Sequence, residues 1–263
     1  MRRVLSAILL TGVAAAQTSN DVPAQLRNVG IDQKLNDRVP LDVELRDESG
    51  NRVPLRSYFG SKPVILSFVY YGCPRLCSMQ LTGLLKSLRA LSFTAGQEFQ
   101  VVNVSFDPRE THELASSKKA AYLEGYGRPR SDNGWHFLTG DKEPIRRLTD
   151  AAGYRFEYDP RTGEYSHASG IMVLTPDGRL ARYFYGIEYS TRDVRLGLVE
   201  AADGKIGSRV DQALLYCFDY DPQTGRYSVG ILSAIRILGA GLVFAMVGLV
   251  TVSLRRERRR RIA

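Results

Sequence analysis

The chain has 263 residues, a formal net charge of +8 and three cysteines. That length allows one domain with a good core plus extensions at either end. Three cysteines exclude a disulfide framework, and the charge, once located along the chain, gives no reason to expect nucleic acid as a partner. The N-terminal Met1-Arg-Arg is followed by a largely apolar stretch from Val4 to Val13 and then by Ala14-Ala15-Ala16. This charged, apolar, small-residue order predicts a secretory signal peptide over residues 1–16. Residues 17–38 are polar and weakly periodic, which predicts a tether.

Val39-Pro-Leu-Asp-Val-Glu-Leu45 alternates like a strand, and Asp47-Glu-Ser-Gly-Asn51 reads as a turn. A second short strand is expected from Val53. Pro63-Val-Ile-Leu-Ser-Phe-Val-Tyr70 is an almost continuous apolar run, as in a strand buried on both faces. From Met79 to Leu91, apolar residues at 81, 84, 85, 88 and 91 have helical spacing. Phe99–Phe106 predicts a second central strand, 110–123 a helix, Trp135–Thr139 a third strand and Ile145–Ala152 another helix. Paired strands are expected over Tyr154–Gly178, then a strand over Leu180–Tyr185 and a helix over Thr191–Ala202. Strands alternating with helices imply an α/β domain with a partly parallel central sheet and helices on both faces, over residues 39–207.

Tyr158-Asp-Pro-Arg-Thr-Gly-Glu-Tyr-Ser166 is echoed by Tyr220-Asp-Pro-Gln-Thr-Gly-Arg-Tyr-Ser228. In both, Pro presets φ and Gly supplies positive φ, so both predict hairpin turns. The second belongs to a hairpin and linker over residues 208–230. Ile237 to Leu254 carries no charge and is followed at once by Arg255-Arg-Glu-Arg-Arg-Arg-Arg261. An apolar span of about 20 residues ending in an arginine block predicts a transmembrane helix over 231–254 and a cytoplasmic basic tail over 255–263. The domain is then expected on the exported, periplasmic side of a single-pass membrane protein. The tail contributes +5 and the signal +2, which leaves +1 of the total +8 for the rest of the chain.

Cys73 and Cys77 follow the buried strand directly, at the C-terminal end where open α/β sheets place their sites. Cys-x3-Cys at a helix start can put both sulfurs on one face, within reach of one soft metal ion or of each other. Pro74 suits a first helical turn, and free N–H groups there favour thiolate. The pair serves metal binding, redox chemistry or both. His112 reads as solvated and His136 as structural. His167 follows a hairpin turn and could project from a loop. Two thiolates and one imidazole would suit copper, whereas structural zinc wants a fourth ligand. Met79 is expected to pack in the core rather than bind metal. Cys217 reads as a buried free thiol, or as an auxiliary copper or disulfide partner near Asp219.

Tyr70-Tyr-Gly-Cys-Pro-Arg-Leu-Cys77, Val104-Ser-Phe-Asp-Pro-Arg-Glu-Thr111, Trp135-His-Phe-Leu-Thr-Gly140 and a histidine 90 residues after Cys77 together resemble the Sco/SenC family. The resemblance covers roughly Val39 to Ala202. It implies a thioredoxin-like fold and a membrane-anchored copper chaperone for cytochrome c oxidase assembly, with Cys73, Cys77 and His167 as copper ligands. It further implies that a Cys73–Cys77 disulfide abolishes copper binding, so that the site can also take part in thiol–disulfide exchange. Asp107 becomes a candidate supporting or docking residue, although a strand-ending Asp-Pro turn explains it equally well. The implied partners are the copper-accepting oxidase subunit, thioredoxin-like reductases and periplasmic copper donors. The alternative function is a thiol–disulfide oxidoreductase that keeps the acceptor's cysteines reduced; its usual Cys-x-x-Cys spacing differs from the one here. Many family members carry an N-terminal anchor, whereas the anchor expected here is C-terminal.

Overall fold

The computed structural model describes residues 28–73 and 75–206, the short pairs 220–221 and 226–227, and the single positions 239 and 246. The expected signal peptide, Pro74, Cys217 and the basic tail lie outside the described residues, as does the expected span 231–254 apart from those two positions. Among the described residues no helix is long and apolar enough to cross a membrane.

The chain opens with β1 (Gly30–Ile31), β2 (Glu44–Arg46) and β3 (Arg52–Pro54), then β4 (Val64–Val69), α1 (Leu76–Arg89) and β5 (Gln100–Ser105). Next come α2 (His112–Tyr126), β6 (Trp135–Leu138), α3 (Lys142–Ala151), β7 (Tyr154–Asp159) and β8 (Glu164–His167). β9 (Gly170–Leu174), β10 (Leu180–Tyr185) and α4 (Thr191–Ala202) complete the domain, and β11 (Tyr220–Asp221) with β12 (Arg226–Tyr227) forms a separate pair.

The main sheet runs β10-β9-β4-β5-β6. β4, β5 and β6 are parallel, while β9 joins β4 and β10 joins β9 antiparallel. Every residue of β4 and of β9 is buried, which explains why β4 shows no alternation in sequence. The two crossovers through α1 and α2 step the same way across the sheet, and right-handed connection then puts both helices on one face. α1 touches α2 and α4 there, whereas α3 packs against β7 and β2. Thr111 caps α2 by accepting a hydrogen bond from Leu114 N–H, and Gly127, at φ 64°, ends it in the left-handed conformation.

Two expectations need correction. Val39–Leu45 is not one strand: only its end lies in β2, and Val39 N–H bonds the Gly178 carbonyl instead. Residues 30–31, expected in the tether, pair with β7 as Gly30↔Arg155 and Ile31↔Tyr154. Ile31 is buried there, so the packed domain begins earlier than residue 39. The described strands flanking the two Asp-Pro-x-Thr-Gly segments pair in the same register, Tyr158↔Tyr165 in β7–β8 and Tyr220↔Tyr227 in β11–β12.

Candidate metal centre

β4 ends at Val69 and α1 begins at Leu76, so the six residues between them carry Cys73 out over the C-terminal edge of the parallel strands. Cys77 is already inside the first turn of α1. The β7–β8 hairpin ends at His167, beside the point where β9 rejoins β4. One ligand atom each from Cys73, Cys77 and His167 falls within 4.8 Å of the others. Cys77 Sγ lies 3.3 Å from His167 Nε2.

The imidazole is held from behind. Its Nδ1 lies 2.9 Å from the Ala168 carbonyl and 3.2 Å from the Tyr154 hydroxyl, which itself donates to the same carbonyl at 2.8 Å. A carbonyl can only accept, so the proton belongs on Nδ1 and the Nε2 lone pair faces Cys77. Such backing is the usual way a protein aims a metal-binding histidine. Burial pushes the His167 pKa down, against a smaller upward effect of the Ala168 hydrogen bond.

The two thiols differ in acidity. Burial raises the pKa of Cys73, but hydrogen bonds from the backbone of Cys77 and Arg75, and from the Tyr70 and Cys77 side chains, outweigh it and leave the thiol below its ordinary value. One of those donors is Cys77 N–H at 3.4 Å, a free N–H of the first turn of α1. Cys77 is more deeply buried, 2% exposed against 8% for Cys73. Burial pushes its pKa well above the ordinary value; the Tyr70 N–H bond offsets this only in part, and the Cys73 charge adds to it. The start of α1 thus favours thiolate at Cys73 alone.

An aromatic shell surrounds the imidazole. Tyr70 meets His167 edge-on at 5.8 Å between ring centres and Phe106 packs at 5.3 Å. Tyr70 therefore shields the site. Tyr71 points inward, with its hydroxyl against the carbonyls of Asn103 and Leu138. Asp107 lies outside the three-ligand cluster. Its carboxylate is gripped by the Arg109 side chain at 2.7–3.1 Å and accepts from the Tyr165 hydroxyl at 3.3 Å. Its carboxylate meets the aromatic shell through Tyr165, which packs on Tyr70 and Phe106. Met79 is half exposed rather than part of the core. His112 pairs with the exposed Glu113, and His136 packs on Tyr58 and bonds Gln100, both away from the cluster.

The residues that sequence reasoning missed are the supporting ones. Tyr154 reads in sequence only as the first residue of a strand, and Gln80 only as a polar helical position. Gln80 is fully buried and grips both N–H and C=O of Gly170, tying α1 to the segment just after His167. A glutamine on the apolar side of an amphipathic helix was the available signal.

The fold is thioredoxin-like, with two thiols and an imidazole converging at the edge of its sheet. The SCO1/SenC family model matches residues 32–199, and the chain belongs to that family. A protein of Stutzerimonas stutzeri named for copper binding is 28% identical over 120 residues, 44% of this chain and 54% of that relative. The chain thus spans about half the length of that relative. The SCO1 protein homolog of Bacillus subtilis (strain 168) is 24% identical over 178 residues, 65% of this chain and 87% of the relative. A crystal structure from Aquifex aeolicus VF5, of a protein named for electron transfer, is 30% identical, covers 65% of this chain and 95% of its own, and superposes with a TM-score of 0.57.

Proposed function

We propose that this chain is a membrane-anchored copper metallochaperone that binds copper through Cys73, Cys77 and His167 and passes it to the binuclear copper site of a respiratory cytochrome c oxidase. The observation that carries the proposal is the convergence of two thiols and one imidazole nitrogen within 4.8 Å. Soft sulfur donors select Cu(I), and imidazole accommodates both Cu(I) and Cu(II). Family membership and the copper-binding name of one relative support the same cargo.

The residues divide the work. Cys73, nearer the surface and more readily ionised, meets the incoming ion. Cys77 and the aimed Nε2 of His167 complete the site behind it, under the cover of Tyr70 and Phe106. Release proceeds by exchange of these ligands for the acceptor's thiols. The expected C-terminal anchor would hold this domain beside a membrane-bound acceptor on the exported side, raising their effective concentration without new contacts. An oxidoreductase is less well supported, because a dithiol enzyme has no need of an imidazole nitrogen aimed at the buried sulfur.

Anaerobic copper titration of the reduced full chain in detergent tests this. One copper per chain is expected, lost in Cys73→Ser and in Cys77→Ser and weakened in His167→Ala. No binding above background, together with brisk disulfide reductase activity, would reverse the assignment in favour of the enzyme.

A further inference from the structure

Glu110 is an acidic side chain that reaches into the cysteine loop from a neighbouring connection. It comes from the turn between β5 and α2, the neighbouring strand-to-helix connection. One carboxylate oxygen accepts from Gly72 N–H at 2.6 Å; the other accepts from Tyr71 N–H at 2.7 Å and from Ser105 Oγ at 2.5 Å. All three donors are neutral groups. Gly72 leaves room for this approach, since a Cβ there would stand 3.2 Å from Glu110 Oε1. Asp107 cannot substitute, because its carboxylate is committed to Arg109 and Tyr165.

We infer that Glu110 is a positioning residue for copper: it clamps the loop that carries Cys73 and so presets the spacing of the two sulfurs. This deepens the copper proposal above and rests on it. Tyr71 and Gly72 immediately precede Cys73, and their N–H groups have left the β4 ladder before α1 begins. Without an acceptor they would turn to water or to the sulfurs. With both taken by Glu110, Tyr70 N–H remains on Cys77 Sγ and Cys77 N–H on Cys73 Sγ. A metal site held open by its supporting shell does not have to order that loop when the ion arrives.

The test is Glu110→Gln in the full chain. The amide keeps the size but replaces one acceptor oxygen with an NH2 group that faces donors. Cu(I) affinity, measured anaerobically by competition with a chromophoric chelator, should fall by about tenfold or more, as for other supporting-shell changes. Hydrogen–deuterium exchange over the 70–73 loop of the metal-free protein should quicken. Thr111→Ala is the control: it removes the cap of α2 in the same turn, and should lower the melting temperature while leaving copper affinity unchanged. If Glu110→Gln does not fold, Glu110→Asp shortens the reach of the carboxylate to both N–H groups instead, and should also weaken copper. Equal affinity in the parent and the folded variant overturns the inference, as does unchanged loop exchange. If the parent itself binds no copper, the copper proposal fails, and the exchange data alone then decide whether Glu110 clamps the loop.

Discussion

Replacing Tyr154 with Phe isolates how His167 is aimed from whether it binds. Tyr154 is 1% exposed, and its ring packs on Phe68 at 5.0 Å and Phe106 at 5.8 Å between centres. Phe preserves that packing and removes only the hydroxyl. The Ala168 carbonyl then still accepts from Nδ1 at 2.9 Å, so no buried acceptor is stranded. The cost is therefore one ordinary hydrogen bond, about 1 kcal/mol, or roughly 2–4 °C in melting temperature for a domain of this size. If the same 1 kcal/mol is felt through the imidazole, copper affinity falls about fivefold, a smaller loss than His167→Ala should cause.

Two measurements check this prediction. Thermal unfolding of the metal-free protein reports the stability term. Copper titration, followed through a thiolate charge-transfer band, reports the effect on the ligand. A lower melting temperature with unchanged affinity and spectrum would show that the hydroxyl supports the fold and does not aim the histidine. An affinity loss as large as that of His167→Ala would show that the Ala168 carbonyl cannot hold the ring alone.

Gln80→Leu should cost about 2–4 kcal/mol, because it leaves both backbone groups of Gly170 buried without their partner; urea unfolding with an unchanged m-value would establish it. Gly83→Ala places a Cβ 1.7 Å from the Ile187 carbonyl oxygen, and the forced backbone shift should cost about 2–3 kcal/mol, read as a lower urea midpoint with copper stoichiometry unchanged. Burial, aided by the charge of Lys119, lowers the His136 pKa from 6.5 to about 4. The unfolded chain thus takes up this proton first, so the stability owed to neutral His136 is complete above pH 6.5 and is lost as pH falls to about 4. That amounts to about 3 kcal/mol, and the difference in urea stability between pH 7 and pH 4.5 should shrink in His136→Gln.

What the sequence revealed depended on how local each cause was. The apolar run of β4 and the helical spacing of α1 are local patterns, and both elements lie where those patterns put them. Cys73 and Cys77 were legible because a strand followed by a helix start fixes where such a pair must sit. His167 was not legible from its neighbours. Its place follows from the hairpin pairing Phe156↔His167 together with Ser67↔Ile171 in the sheet, and the second of these joins distant stretches of chain. Family resemblance supplied what local pattern could not. Ile31 was missed because a lone apolar residue in a polar stretch carries no periodicity, while its strand partner lies beyond residue 150. Glu110 read as the start of a helix, since the two loop N–H groups that it satisfies become visible only once β4 and β5 lie side by side.

The split between the two thiols constrains how a copper site here would fill and empty. Burial opposes charge on Cys77, and the nearby Cys73 adds to that opposition, so Cys77 holds its proton more firmly than Cys73 does. The Cys77 S–H has a ready acceptor in His167 Nε2 at 3.3 Å. A soft cation that engaged Cys77 would displace that proton, and the His167 nitrogen beside the sulfur would be placed to bind it too. Cys73 gives up its proton more readily and lies closer to solvent. The first ligand formed and the last one released should therefore both be Cys73. An acceptor thiol would approach on that side, compete for the ion while Cys73 still holds it, and leave Cys77 to regain its proton beside His167.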